Sequence, residues 1–324
     1  IIASITNLLK DNIIQKYFNQ DKRIKSMEIL LKEKSQLKPY IDLKIEKYRK
    51  YDYNRSDKDI LVRFQDGINE IPEYGMLSNG DYTTILNDRG IGFTKYRNLQ
   101  INRFRNVPEE PYGLFLFIKD KTNNIAWTNT YEPFMREPDK YNVTFEPGTI
   151  KYIREDNLII TKTDVIVTKE HNAEIRKIII NNYNMEDVEL ELTSYGEVII
   201  ARAEEDVAHR AFNGISISAD FDMDTESLIF RRHSRTKELV EYFLVHRMLV
   251  IDDEGGTSFE TSRANFLGRN NDLNNADVIV NNKKLSNNKN ALLDPIMSLR
   301  KTITLKPNKQ KTIYLITGFG KSKE

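Results

Sequence analysis

Between Leu158 and Ala201 the chain reads LIITKTDVIVTKE and then HNAEIRKIIINNYNMEDVELELTSYGEVIIA, three apolar-alternating runs separated by short polar turns. Val188, Leu190 and Leu192 point one way, and Glu189, Glu191 and Thr193 the other. Successive side chains of a strand leave opposite faces of a sheet, so a period of two marks a half-buried strand. The branched residues Ile159, Ile160, Val165, Ile166, Val167, Ile178, Ile179 and Ile180 suit a pleated surface better than a helix. Lys169 to Asn172 and Asn181 to Glu186 carry the turn residues. The stretch predicts an antiparallel meander, and it constrains the rest of the chain to supply partners for it.

The remainder complies. Candidate strands are Tyr82 to Leu86, Gly92 to Tyr96, Leu114 to Lys119, Ile125 to Thr128, Tyr141 to Phe145 and Thr149 to Arg154. After the meander come Ile215 to Phe221, Ser227 to Arg231, Tyr242 to Ile251, Ile296 to Leu305 and Thr312 to Thr317. Asn79-Gly80, Gly90, Pro147-Gly148 and Gly255-Gly256 supply turn chemistry. The expected fold is mainly β, a large two-sheet antiparallel β-sandwich over 76–324. The Asn-rich stretch Ala264 to Lys289 breaks the pattern and predicts a long surface loop.

A short helical segment is expected before the sandwich, over 1–39. Leu8, Leu9, Ile13, Ile14, Tyr17 and Phe18 make one stripe, interrupted at Asn19-Gln20-Asp21. Ile24, Met27, Leu30 and Leu31 make a second, with Asp21 placed to cap it and Pro39 to end it. These stripes are expected to pack on the sandwich or on a preceding domain. Residues 40–75 read as a charged, tyrosine-rich linker in which Leu61 to Phe64 form a first strand. Its basic-aromatic mix could stack on nucleic acid, but Asp42, Glu46, Asp52, Asp57 and Asp59 dilute the charge and favour a solvated connector.

With 324 residues, 39% of them hydrophobic and 30% charged, the chain can fill a core. A net charge of +1 offers no footprint for nucleic acid. The absence of cysteine excludes a disulfide framework, a thiolate zinc site and a cysteine nucleophile. No signal peptide is visible, and no apolar run approaches the roughly twenty residues of a membrane span. The expectation is a cytoplasmic protein, or the cytosolic part of a membrane-associated parent, and the start at Ile1 reads as a piece of something longer.

No Walker loop, HExxH, GxSxG or post-strand GxGxxG occurs. His171, His209, His233 and His246 stand at no metal-ligand spacing and read singly as surface or packed residues, so neither a metal nor a cofactor is expected. Glu204-Glu205-Asp206 and Asp252-Asp253-Glu254 could supply general acids, although solvated turns explain them better. Trp127 could stack on a sugar ring, but its strand setting favours the core. From the residues alone no catalytic site emerges.

Three stretches carry a resemblance. Ser78-Asn79-Gly80-Asp81-Tyr82 running on to Gly92-Phe93-Thr94-Lys95-Tyr96-Arg97-Asn98-Leu99 resembles the "SNG-Y…GYS-W-DL" opening of the sandwich in cellobiose-phosphorylase-like enzymes, glycoside hydrolase family 94. Leu192-Thr193-Ser194-Tyr195-Gly196-Glu197-Val198 with Ala208-His209-Arg210-Ala211-Phe212 is similar to their "LTSY-EV…AHPAF". Glu260-Thr261-Ser262-Arg263-Ala264-Asn265-Phe266-Leu267-Gly268-Arg269 with Leu293-Asp294-Pro295-Ile296-Met297-Ser298-Leu299-Arg300 resembles "ETDRARFLGR…LDPI-SLR". Tyr96 departs from the usual Trp, and Arg210 from the usual Pro. The nearest branch is the cyclic β-1,2-glucan synthases and β-1,2-oligoglucan phosphorylases. The synthases' "F--DPRI-A-ELLLQER" segment resembles the run from Tyr17 to Lys34.

The resemblance implies a galactose-mutarotase-like supersandwich preceding an (α/α) barrel that holds the general acid and phosphate site of an inverting reaction. No barrel sequence follows here, so the chain is expected to be non-catalytic, acting beside β-1,2-glucan or another β-glucoside in a homodimeric parent. In related disaccharide phosphorylases a sandwich loop reaches the partner subunit's active site. The matching stretch is Glu204 to Phe212, with His209 and Arg210 as donors toward sugar hydroxyls or phosphate. A salt-bridged turn is the plainer alternative for it. Two rival readings are a stand-alone sugar mutarotase-like enzyme, which needs a His and a carboxylate converging on a concave face, and a glycan-binding module, which needs several aromatics exposed on one sheet.

Overall fold

The computed structural model describes residues 2–20, 24, 62–69, 71–105, 111–233, 241–252, 255–289 and 293–322. It divides into two units, Ile1–Lys58 and Asp59–Glu324. In the first, helices α1 (Ile2–Leu9) and α2 (Ile13–Gln20) are separated by Asp11 and Asn12, both in the left-handed region at φ 48° and 59°. Asp and Asn tolerate that region better than most residues. The break therefore comes at Asp11 and Asn12, about two and a half turns before the one expected at Asn19 to Asp21, and α2 runs on through Asn19 and Gln20. Ile24 is helical; Asp21, Met27, Leu30, Leu31, Pro39 and the connector up to Leu61 lie outside the described residues.

The second unit is built from strands. Sheet-forming runs are β1 (Arg63–Asp66), β2 (Tyr74–Ser78), β3 (Tyr82–Asn87), β4 (Gly92–Tyr96), β5 (Leu99–Asn102), β6 (Phe115–Asp120) and β7 (Ile125–Thr128). Next come β8 (Lys140–Glu146), β9 (Thr149–Asp156) and the expected meander of β10 (Ile159–Val167), β11 (Ala173–Asn182) and β12 (Val188–Ala201). They are followed by β13 (Ile217–Asp222), β14 (Ser227–Arg232), β15 (Tyr242–Val250), β16 (Ser258–Ser262), β17 (Pro295–Leu305) and β18 (Lys309–Gly320). β2, β5 and β16 escape a reading by alternation: β2 (YGMLS) opens beside a glycine, β5 has only four residues, and β16 (SFETS) has a single large apolar side chain.

Among the described residues these strands form two nine-stranded antiparallel sheets. The first has the order β1-β8-β9-β10-β11-β18-β15-β14-β13. The second runs β16-β17-β12-β5-β4-β3-β2, with β6 and β7 also joined through β12. The meander does not stay in one sheet: β10 and β11 pair with each other, while β12 crosses to the second sheet and pairs with β17, Val188 opposite Leu305. The sheets face each other across Ile178, Ile180, Ile313 and Leu315 on one side and Leu190, Leu192, Val198 and Leu299 on the other, all buried. Trp127 is fully buried in this core.

Alternation ends in β12 after Leu192: every residue from Leu192 to Ala201 is buried. Its outer face is covered by the stretch expected to be a surface loop, and that expectation is corrected. Residues 263–285 form α5 (Arg263–Leu267), a 3-10 turn (Leu273–Asn275) and α6 (Asp277–Val280). Phe266, Leu267, Leu273, Val278, Ile279 and Leu285 pack on Phe115, Phe117, Tyr195 and Ile296 to make a second core. A short helix leaves its last carbonyls without partners. Here Lys119 Nζ donates to Ile279 O at 2.6 Å and Arg300 Nη2 to Val278 O at 2.7 Å. Both cations are buried and sit where the helix dipole favours them. Gly268, at φ 85°, ends α5, and a Cβ there would lie 2.1 Å from Asp277 Oδ2.

Candidate functional site

At the end of β12 the register shifts between Val198 and Ala201, and Ile200 takes a φ of 42°. Such a bulge bends a strand and re-aims the chain beyond it. The chain then enters two short helices, α3 (Ala203–Ala208) and α4 (Arg210–Ile215), where the sequence predicted a loop. His209 is the junction between them and is exposed; Arg210 opens α4 and is half-buried.

Beneath the helices lies a charge network that composition could not reveal. Arg103, just past β5, is 2% exposed and grips Asp206 of α3 with two parallel bonds, Nε to Oδ2 at 2.9 Å and Nη2 to Oδ1 at 3.0 Å. Its Nη1 donates to Asp294 Oδ1 at 2.9 Å and to Glu197 of β12. Arg263, the first residue of α5, donates to Glu197 Oε1 at 2.8 Å, and the Tyr195 hydroxyl donates to the same oxygen at 3.0 Å. Arg210 Nη2 donates to Asp294 Oδ2 at 2.8 Å and lies 3.5 Å from Glu197. Arg105 completes the group at 3.5 Å from Asp206.

Burial by itself would lower the pKa of Arg103, but Asp206, Glu197 and Asp294 outweigh it and raise it. Burial would likewise raise Asp206, yet the Arg103 guanidinium holds its carboxyl below the usual range. Arg263 is raised against its burial, with Glu197 the leading cause. Arg103, Asp206 and Arg263 are thus held in their charged forms, and the planar bidentate Arg103–Asp206 pair gives the network a fixed geometry. Asp206, expected in a solvated turn, is instead a buried anchor.

Two sequence-predicted residues, His209 and Arg210, are brought to this place, Arg210 as an ion-paired member and His209 at its rim. The network's other members were legible in one respect: Tyr195, Glu197, Arg263 and Asp294 all fall in the stretches quoted for the resemblance. Arg103 and Asp206 carried no signal, because their partners stand about a hundred positions away. Above the network, Val207, Phe212, Ile215 and Leu293 are 67%, 59%, 63% and 69% exposed. The Phe212 ring meets His209 edge-on at 5.8 Å. The result is an apolar shoulder on an ion-paired base.

A second polar group lies between the sheets. His246 is buried, its Nε2 2.9 Å from Ser194 Oγ and its Nδ1 3.1 Å from Thr317 Oγ1. Burial, with Arg176 adding to it, pushes its pKa down to about 3, so the imidazole is neutral. Nearby Glu174 accepts from Thr84 at 2.7 Å, Thr94 at 2.8 Å and Arg176 Nε at 2.5 Å. Burial opposes its charge, but Arg176 and the hydroxyls keep its pKa low. This histidine and carboxylate are sealed in the sandwich interior rather than set on an open concave face.

The sequence pattern of the glycosyl hydrolase 94 supersandwich domain matches residues 59–324. The chain belongs to this family. It is also 28% identical over 325 residues to the cyclic β-(1,2)-glucan synthase NdvB of Rhizobium meliloti strain 1021, covering 98% of this chain and 11% of that protein. The chain therefore spans about a tenth of this curated relative's length. Among solved structures, a bacterial glucoamylase complexed with acarbose aligns at 10% identity over 81% of this chain and 36% of its own, TM-score 0.44. A protein described as a kojibiose phosphorylase from the human microbiome aligns at 10% identity over 76% and 29%, TM-score 0.42. Family membership makes this supersandwich a domain of carbohydrate metabolism. Among the described residues no helix is long and apolar enough to cross a membrane, and no cluster of three His, Asp or Glu is placed to hold a metal.

Proposed function

We propose that this supersandwich is the non-catalytic part of a larger β-1,2-glucan synthase or glycoside phosphorylase. Its work is to seat an (α/α) barrel and to shape the glucan cleft from one side, in the cytosol and within a homodimer. The observation that carries the reading is the apolar shoulder of Val207, Phe212, Ile215 and Leu293 standing on the Arg103 network. Three large apolar side chains on two short, ion-paired helices, with Leu293 just before β17, are mostly open to solvent and suit a docking face. The extended match to a cyclic glucan synthase supports the substrate class.

His209 and Arg210 stand on that shoulder and would offer donors to a sugar hydroxyl or phosphate from outside the barrel. A group that binds substrate alike in ground and transition states changes KM alone. In the parent enzyme, Arg210→Ala is expected to raise KM for glucan or phosphate several-fold with kcat nearly intact. An unchanged KM with a lowered melting temperature would make Arg210 a structural ion-pair partner of Asp294 and nothing more.

A further inference from the structure

We infer that Asp88 carries a proton in the folded chain and forms a cyclic acid–amide pair with Gln65, a clasp between the edge strand β1 and the β3–β4 turn that opens as pH rises. Asp88 is 0% and Gln65 6% exposed. Gln65 Nε2 donates to Asp88 Oδ2 at 2.7 Å and to Gly67 O at 3.2 Å. Both neighbours of that nitrogen are acceptors, so the amide can face only one way. Gln65 Oε1 and Asp88 Oδ1 are then both buried and receive no hydrogen bond from the protein.

Two acceptors cannot satisfy each other. One proton on Oδ1 turns that oxygen into a donor toward Oε1, closes a ring of two hydrogen bonds, and removes a buried negative charge. The same proton accounts for both orphaned oxygens. From β8, the Tyr141 hydroxyl donates to the Asp88 carbonyl at 2.6 Å; from β9, Tyr152 donates to Asn87 O at 2.7 Å. Asp88 N donates to Glu73 O, and Arg89 in the same turn donates to Asn69 O at 2.8 Å. Glu132, whose N–H donates to Arg89 O, approaches from the far side of the turn. Burial raises the Asp88 pKa, while the Gln65 bond, the Arg89 charge and the backbone N–H groups of Glu73 and of Asp88 itself oppose it.

β1 closes one edge of the first sheet and the β3–β4 turn belongs to the second, so a single proton links the two sheets at that edge. The folded pKa is raised, hence the clasp is complete below the unfolded aspartate value and is lost as pH climbs through the folded one.

The test tracks the Asp88 carboxyl carbon by NMR in the whole chain, together with Asp88→Asn and Gln65→Met in a Glu132→Gln background. A midpoint above the ordinary aspartate value is expected. Asparagine mimics the protonated acid, so Asp88→Asn should match the parent melting temperature within about a degree or two at acid pH and exceed it at alkaline pH. Gln65→Met should speed β1 amide exchange about tenfold at acid pH and little at alkaline pH. A carboxyl midpoint at or below the ordinary value, or an Asp88→Asn melting loss equal at every pH, would mean an ionised carboxylate solvated between the two oxygens, and would overturn the assignment.

Discussion

Glu132 shows how one side chain sets a pH response. It is 6% exposed, and burial pushes its carboxyl up to about 7, with Arg89 opposing. The folded state thus binds a proton that the unfolded chain has already lost near neutrality. Its contribution is complete below the unfolded glutamate value and disappears as pH rises through about 7, an effect on the order of 3 kcal/mol. Glu132→Gln should therefore melt above wild type at alkaline pH and close to it at acid pH, in calorimetry across that range; equal differences at both ends would show a carboxyl of ordinary acidity. Asp206 behaves oppositely. Its folded pKa is depressed, so its contribution is present above the unfolded aspartate value and is lost as pH falls through the folded one. Removing one partner of a buried ion pair costs about 3–5 kcal/mol. Asp206→Asn is expected to fall in that range by denaturant titration at neutral pH, and to lose less stability than wild type on acidification.

At the scale of elements, the stretch 263–285 matters most. Its asparagines hide a second hydrophobic core, so it acts as a lid on the outer face of β6, β12 and β17. Phe266 is fully buried and meets the Tyr195 ring at 4.8 Å and the Phe117 ring at 6.1 Å. Truncating a buried phenylalanine costs about 3–5 kcal/mol. Phe266→Ala should lower the unfolding free energy from urea titration by that amount and expose Tyr195, read as a change in near-ultraviolet dichroism. A loss below about 1 kcal/mol would identify the stretch as a surface loop after all. The lid's first residue, Arg263, also bonds Glu197, so losing the lid should loosen the α3–α4 shoulder as well.

For the whole molecule, the long pairing of β12 with β17 and the Tyr82 hydroxyl on Thr317 O join positions far apart in sequence. Such topologies fold slowly, because long loops close before contacts form. The functional expectation at this scale is that the chain alone turns over no β-1,2-glucan with phosphate. His246 and Glu174 are sealed between the sheets, and at the shoulder Arg210 is paired with Asp294. Phosphate release or uptake above a blank, in a coupled assay with β-1,2-oligoglucans, would refute the non-catalytic reading.

The pattern of side chains determined the long half-buried strands by itself. Ile159 to Val167, Ala173 to Asn182 and Val188 to Leu192 alternate, and alternation is a local property that any half-buried strand must show. Turn glycines and the in-order motifs reached further, to two sheets and to the family. Tertiary structure decided the rest. Nothing local says that β12 leaves β11 for the other sheet, or that an Asn-rich stretch will cover it, because burial on both faces erases the period. Arg103, Asp206 and Asp294 became a site only when five separate segments met at the end of β12. A charged side chain is free to be solvent-facing until the fold brings it a partner, and that pairing is a property of three dimensions.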